Sequence, residues 1–193
     1  MIRGGCSRLL TGVYWLALGT WLGAIVMLAV GAAVTFRTVR GMAPTVGVEP
    51  FSDPVFAGSA ANVLAGAVVA NMLVALAWIQ GVCAAVVVGC LGVQWVWMRD
   101  TVCGGLSGWR NLLRVALIIG PIALLVWDRS RLSPTIHHEH EIRYDLKVSP
   151  DEREAARVRF DRYHRISERA MGLSGLMLAR AGLVSSLTLG FRR

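Results

Sequence analysis

Long apolar stretches without a single charge alternate with short basic junctions along this chain. Residues 9–36 carry no Asp, Glu, Lys or Arg, and neither do residues 55–98, 111–113, 115–127 or 170–179. About 20 apolar residues suffice to cross the hydrocarbon core as a helix, and signal-peptide cores are only about 7–15 residues long. The first run is therefore a transmembrane helix rather than a cleaved leader, although Arg3 and Arg8 precede it. Spans are expected at 9–36, 78–98, 109–127 and 170–189. Trp95, Trp97, Trp109 and Trp127 stand at the ends of these runs, where aromatic side chains favour the membrane–water boundary.

The run at 55–98 is too long for one ordinary span. One reading is a hairpin turning near Gln80 and Gly81. The preferred reading makes 78–98 the span and 55–77 a helix packed on the bundle or lying at the interface. Gly58, Asn62, Gly66 and Ala70 recur every four residues there, giving a narrow strip suited to close packing. Gly19 and Gly23 form a similar pair in the first span, and Gly120–Pro121 should bend the third.

Residues 128–169 form the one long polar segment, read as a loop followed by a helix that enters the membrane. Ser149, Pro150, Asp151 and Glu152 supply the start of that helix: an N-cap, a proline at the first position and acids in the first turn. Ala156, Phe160, Tyr163 and Ser167 then share a face. The fold expected is all-α, a polytopic transmembrane helical bundle of four spans forming a single membrane domain over 1–193. A five-span variant remains open.

Composition agrees with this pattern. The chain has 193 residues, 55% hydrophobic and 17% charged, and its mean hydropathy is +0.55. Its net charge is +8 and nearly every cation is Arg, Lys147 being the exception. In a bilayer-embedded chain such arginines hold topology and meet lipid head groups, so nucleic acid is not the expected partner. Arg37, Arg40 and the cations of 129–169 fall on one side of a four-span bundle. The positive-inside rule makes that side cytoplasmic, in a bacterial cytoplasmic (inner) membrane, with a homo-oligomer open. Cys6, Cys83, Cys90 and Cys103 include no Cys-x-x-Cys pair. Cys83 and Cys90 lie about 10 Å apart along one helix, too far for a disulfide.

Pro54-Val55-Phe56-Ala57-Gly58, a second Ala65-Gly66, and Phe160-Asp161-Arg162-Tyr163-His164-Arg165-Ile166-Ser167 leading into the last span resemble a known pattern. The Phe-x-x-x-His-x-x-Ser entry resembles the bacterial domain of unknown function 4149 and the eukaryotic transmembrane-protein-205-like proteins, over most of the chain. The resemblance implies a four-helix membrane bundle. That family is distantly similar to copper-resistance D membrane domains and to a haem-pathway membrane oxidase. The expanded polar segment, with its histidines, departs from the family pattern.

Three groups of residues carry candidate chemistry. Phe160, His164 and Ser167 come from the family motif, and an imidazole at His164 could ligate haem or copper. His137, His138 and His140 are a candidate divalent-metal cluster, if an extended His-x-His puts two on one side. Arg180 lies about ten residues into the last span, where a charge costs about 2.5–3.5 kcal/mol. It shares a membrane half with Arg114 and Gln94, and the three could surround an anionic lipid or small anion. No nucleotide loop, hydrolase elbow or zinc-protease helix is present, which argues against an enzyme using them. The leading expectation is a structural or lipid-interacting membrane protein. A haem- or copper-handling redox protein is the alternative, and a small-solute transporter a third class.

Overall fold

A computed structural model describes residues 2–42, 60–97, 106–145 and 147–189. The described chain is helical apart from the short connection before Pro150. The elements are α1 (Ile2–Met42), α2 (Ala60–Trp97), α3 (Leu106–Trp127), one π-helical turn (Asp128–Leu132), α4 (Ser133–Tyr144) and α5 (Pro150–Leu189). Four stretches are long and apolar enough to cross a membrane: Leu9–Met42, Val63–Val96, Gly108–Tyr144 and Pro150–Leu187. Only 17–33% of the most apolar window of each is buried in the protein. Leu16 is 72% exposed, Trp78 75% and Leu112 71%. Helices that turn such residues outward satisfy their backbone internally and leave an oily surface that suits lipid.

Two sequence expectations change. Residues 60–97 form one unbroken helix, so neither a hairpin at Gln80–Gly81 nor a separate packed helix ahead of the span is present among the described residues. Ala, Val and Leu continue the helix, and no proline or charge interrupts it. Gly58 lies outside the described residues, and at Gly19, Gly23 and Gly66 a Cβ would meet nothing within 4 Å.

The polar segment is also largely helical rather than a loop. α3 passes through the π turn directly into α4, and the Ser133 N–H bonds to the Asp128 carbonyl five residues back. Pro134 follows and cannot donate to the carbonyl four residues before it, so the widened turn falls where regular bonding is already lost. The start of α5 forms as expected. The Glu152 N–H donates to Ser149 Oγ at 3.3 Å, and Pro150 occupies the first helical position.

By contacts the chain divides into two compact units. The first comprises residues 1–18 and 86–193. Within it α3 lies along α5, with the Met177 methyl occupying the space a Cβ on Gly120 would need. Ile118 and Leu178 are fully buried. The N-terminal part of α1 rests on α5 at Gly182, where a Cβ would lie 3.7 Å from both Leu18 and Trp15. α4 folds back on α5, burying Leu132, Glu139 and Ala156. The second unit comprises residues 19–85. There Gly31 of α1 meets Met72 of α2, and Trp21 is almost completely buried.

Candidate functional site

Four polar side chains in the first unit lie on the buried stripes of four different helices. On α1, Tyr14 is followed by Ala17 and Leu18; on α2, Gln94 follows Val87 and Cys90. On α3, Arg114 precedes Ile118 and Pro121; on α5, Ser185 follows Ser174, Leu178 and Ala181. Each set repeats at the three- or four-residue interval that defines one helix face. Hydrophobic packing of each stripe therefore carries its polar member inward as well.

The four meet in two pairs joined through Tyr14. Arg114 Nη2 donates to Gln94 Oε1 at 3.0 Å. Tyr14 Oη and Ser185 Oγ are 2.7 Å apart, a hydrogen bond in which either is the donor. The Arg114 guanidinium carbon lies 5.6 Å from the centre of the Tyr14 ring, within cation–π range. Arg114 is only 6% exposed, and its Nε and Nη1 are buried without a hydrogen-bond partner. Among the described residues no carboxylate pairs with it. Among the described residues a cation is thus enclosed with one neutral acceptor and one aromatic face, and no counter-charge.

Of Arg180, Arg114 and Gln94, grouped from the sequence around an anion, the structure brings Arg114 and Gln94 into contact. Arg180 is exposed, and makes no hydrogen bond or ion pair with either among the described residues. It is five residues from Ser185, about 140° around the helix from it, so the two sit on different faces. Tyr14 and Ser185 were not singled out. The signal that finds them is membership of an otherwise apolar stripe.

A second polar cluster joins α4 to α5. Phe160 stacks on His164, with ring centres 5.6 Å apart and planes within 8°. It also meets His140 on α4 at 5.7 Å. Arg159 Nε donates to Glu139 Oε1 at 2.9 Å, and Ser167 Oγ donates to Asp128 Oδ1 at 2.9 Å. Phe160 and Ser167 therefore lie on the face of α5 that meets α4 and the π turn, whereas His164 meets Phe160 and Glu168 of its own helix. Burial, aided by nearby Arg143 and His137, pushes the His140 imidazole below its ordinary pKa, with Glu141 opposing.

The chain matches no family model, no curated protein and no solved structure.

His164 is exposed, stacked on Phe160, and 3.3 Å from Glu168. His137 faces Glu141 at 3.6 Å, and both are well exposed. On a helix, residues two apart point about 200° away from each other, so His138 and His140 diverge where an extended strand would align them. No group of three His, Cys, Asp or Glu among the described residues is placed to hold a metal ion. Cys83 and Cys90 are free and buried. These residues do not assemble a ligand set for copper or an axial pair for haem. The Arg114 cluster, in contrast, lacks only an acceptor.

Proposed function

We propose that this chain is a four-span protein of the bacterial inner membrane that binds an anionic group, of the kind a lipid headgroup carries, at Arg114. The family resemblance to a four-helix membrane bundle belongs to the same reading. The observation that carries it is a guanidinium enclosed between apolar helices with two of its nitrogens, Nε and Nη1, unpartnered. An uncompensated buried charge costs several kcal/mol unless something pairs with it.

The depth of the cluster supports a headgroup. Tyr14 lies near the start of α1's apolar run, Gln94 near the end of α2, Arg114 near the start of α3 and Ser185 near the end of α5. In four alternating spans these ends share one membrane face. At about 1.5 Å per residue, Arg114 sits roughly 8 Å inward from Trp109. That is where an ester-linked phosphate or a small anion just below the boundary would meet it. The positive-inside rule assigns this face to the non-cytoplasmic leaflet. The exposed Arg180, deeper in α5, is left to reach the same boundary by extending its side chain.

The test is lipid retention. Full-length wild type purified in mild detergent should carry anionic phospholipid detectable by mass spectrometry. Arg114→Leu should lose about nine-tenths of it, corresponding to roughly 1.4 kcal/mol of binding, while Arg180→Leu changes it much less. Equal retention in wild type and Arg114→Leu would remove the proposal.

A further inference from the structure

We propose that the occupant of the Arg114 site is an oxyanion presenting two oxygens, a phosphate or a carboxylate, gripped by one complete fork of the guanidinium; a spherical halide fits it poorly. This rests on the anion-site reading above and names the ligand's chemistry.

A guanidinium is planar and has five N–H bonds, one on Nε and two on each Nη. They form two parallel forks, one shared by Nε and Nη2 and the other by Nη1 and Nη2. Each matches the spacing of two oxygens on one carboxylate or phosphate. Nη2 contributes one hydrogen to each fork. Gln94 Oε1 takes one Nη2 hydrogen, while Nε and Nη1 are both unpartnered. Whichever Nη2 hydrogen Gln94 uses, the other fork is left with both of its N–H bonds. The protein therefore blocks one two-pronged edge and keeps the second intact.

The surroundings favour this assignment. Gln94 fixes the plane of the guanidinium without neutralising it. The Tyr14 ring covers the cation but supplies no hydrogen-bond acceptor comparable to a carboxylate. The Tyr14 hydroxyl is engaged with Ser185 Oγ at 2.7 Å. All of this holds the buried, unpartnered fork in one orientation. A fixed fork rewards an ion whose two oxygens meet both hydrogens, whereas a halide meets them at one point. Phosphate from a lipid headgroup and phosphate free in solution share this chemistry.

The experiment uses the full chain, depleted of lipid in detergent, with thermal unfolding followed during titration. The probes are inorganic phosphate, dihexanoyl phosphatidylglycerol and chloride, at matched ionic strength. Wild type should be stabilised saturably by a phosphate-bearing probe and not by chloride. A response to phosphatidylglycerol alone assigns the lipid source, and a response to inorganic phosphate assigns the free ion; both support the fork. Arg114→Lys keeps the charge but has no fork, and should weaken binding about tenfold or more. Gln94→Glu supplies an internal carboxylate and should abolish the response in a folded protein. Equal stabilisation by chloride and phosphate, or wild-type affinity in Arg114→Lys, overturns the oxyanion assignment while leaving an anion site. No saturable response to any probe, with wild type and Gln94→Glu alike, overturns both.

Discussion

Removing Arg114 and Gln94 together should stabilise the ligand-free protein, which is the reverse of what loss of a buried hydrogen bond usually does. On insertion scales a guanidinium at a span centre costs about 3 kcal/mol, an upper figure for Arg114 just inside the boundary. The bond to Gln94, at 3.0 Å and charge-assisted, returns about 1.5–3 kcal/mol. The Tyr14 face, 5.6 Å away, returns about 1–2 kcal/mol. Those contributions nearly cancel, but the insertion value holds for a side chain that can reach water, and Arg114, with its Nε and Nη1 buried, cannot. These two unpartnered nitrogens therefore decide the sign, at about 1–3 kcal/mol each. Arg114→Met/Gln94→Leu should gain roughly 1–3 kcal/mol over lipid-depleted wild type, as when a buried charged pair is replaced by apolar residues. Gln94→Leu alone should lose about 1.5–3 kcal/mol, because it strips the cation of its acceptor. Arg114→Met alone should fall near wild type, since the gain is offset by an orphaned amide. Reversible unfolding in detergent, followed by circular dichroism, gives all three and their coupling. A double variant less stable than wild type by more than about 1 kcal/mol would refute the reasoning.

Three further outcomes follow from other contacts. Ser167→Ala removes the 2.9 Å donation to Asp128 and should cost about 1 kcal/mol, read as faster hydrogen exchange in the π turn with the rest of α3 unchanged. Gly182→Ala should be neutral or stabilising by up to about 1 kcal/mol, because its Cβ would meet Leu18 and Trp15 at an ordinary 3.7 Å. Gly182→Leu overfills the same space and should cost about 1–3 kcal/mol in the same unfolding assay. His140 is held below its usual 6.5 by burial first and then by Arg143, so the unfolded imidazole takes up its proton before the folded one does. Stability from the α4–α5 contact is therefore full above the unfolded pKa of 6.5 and is lost as pH falls from there toward the folded value. Hydrogen exchange in α4, corrected for intrinsic rate, should accelerate over that window in wild type and stay flat in His140→Phe.

Much of the architecture was legible because membrane spans are written in composition. The third span is expected to end at Trp127, where α3 gives way to the π turn, but the helix runs on and the membrane-capable stretch reaches Tyr144. Ser149–Pro150 marks the start of α5 to the residue. The second span misled because length was set against bilayer thickness. Thirty-four apolar residues make a rod of about 51 Å, which a helix can accommodate by tilting or projecting rather than by breaking. The histidine segment reads as a loop because its polar content hides a sparse packing face: buried Leu132 and Glu139, with His140 and Glu139 meeting Phe160 and Arg159 of α5. Arg114 and Gln94 stood out as polar residues in oily surroundings. Tyr14 and Ser185 did not: a tyrosine near a span end passes for a boundary residue and a serine for a small packing one. Their stripe positions distinguish them, and those become decisive only when four helices are placed side by side.

The distribution of acids bears on what that cluster is for. A buried arginine that serves only to fasten helices is best matched by a carboxylate on a neighbouring helix, since an internal ion pair removes the net charge. The chain has 12 Asp and Glu, and all of them lie outside residues 9–36, 63–96, 109–127 and 170–189. These apolar ranges therefore lend Arg114 no counter-ion, and Gln94, isosteric with Glu, holds the position from which one could have come. A neutral amide there preserves the guanidinium's orientation and leaves its charge unspent. Ordered water could satisfy the two unpartnered nitrogens but would leave that charge uncompensated. An external anion satisfies both, which is why the electrostatics of the four spans, and not Arg114 alone, point to a ligand.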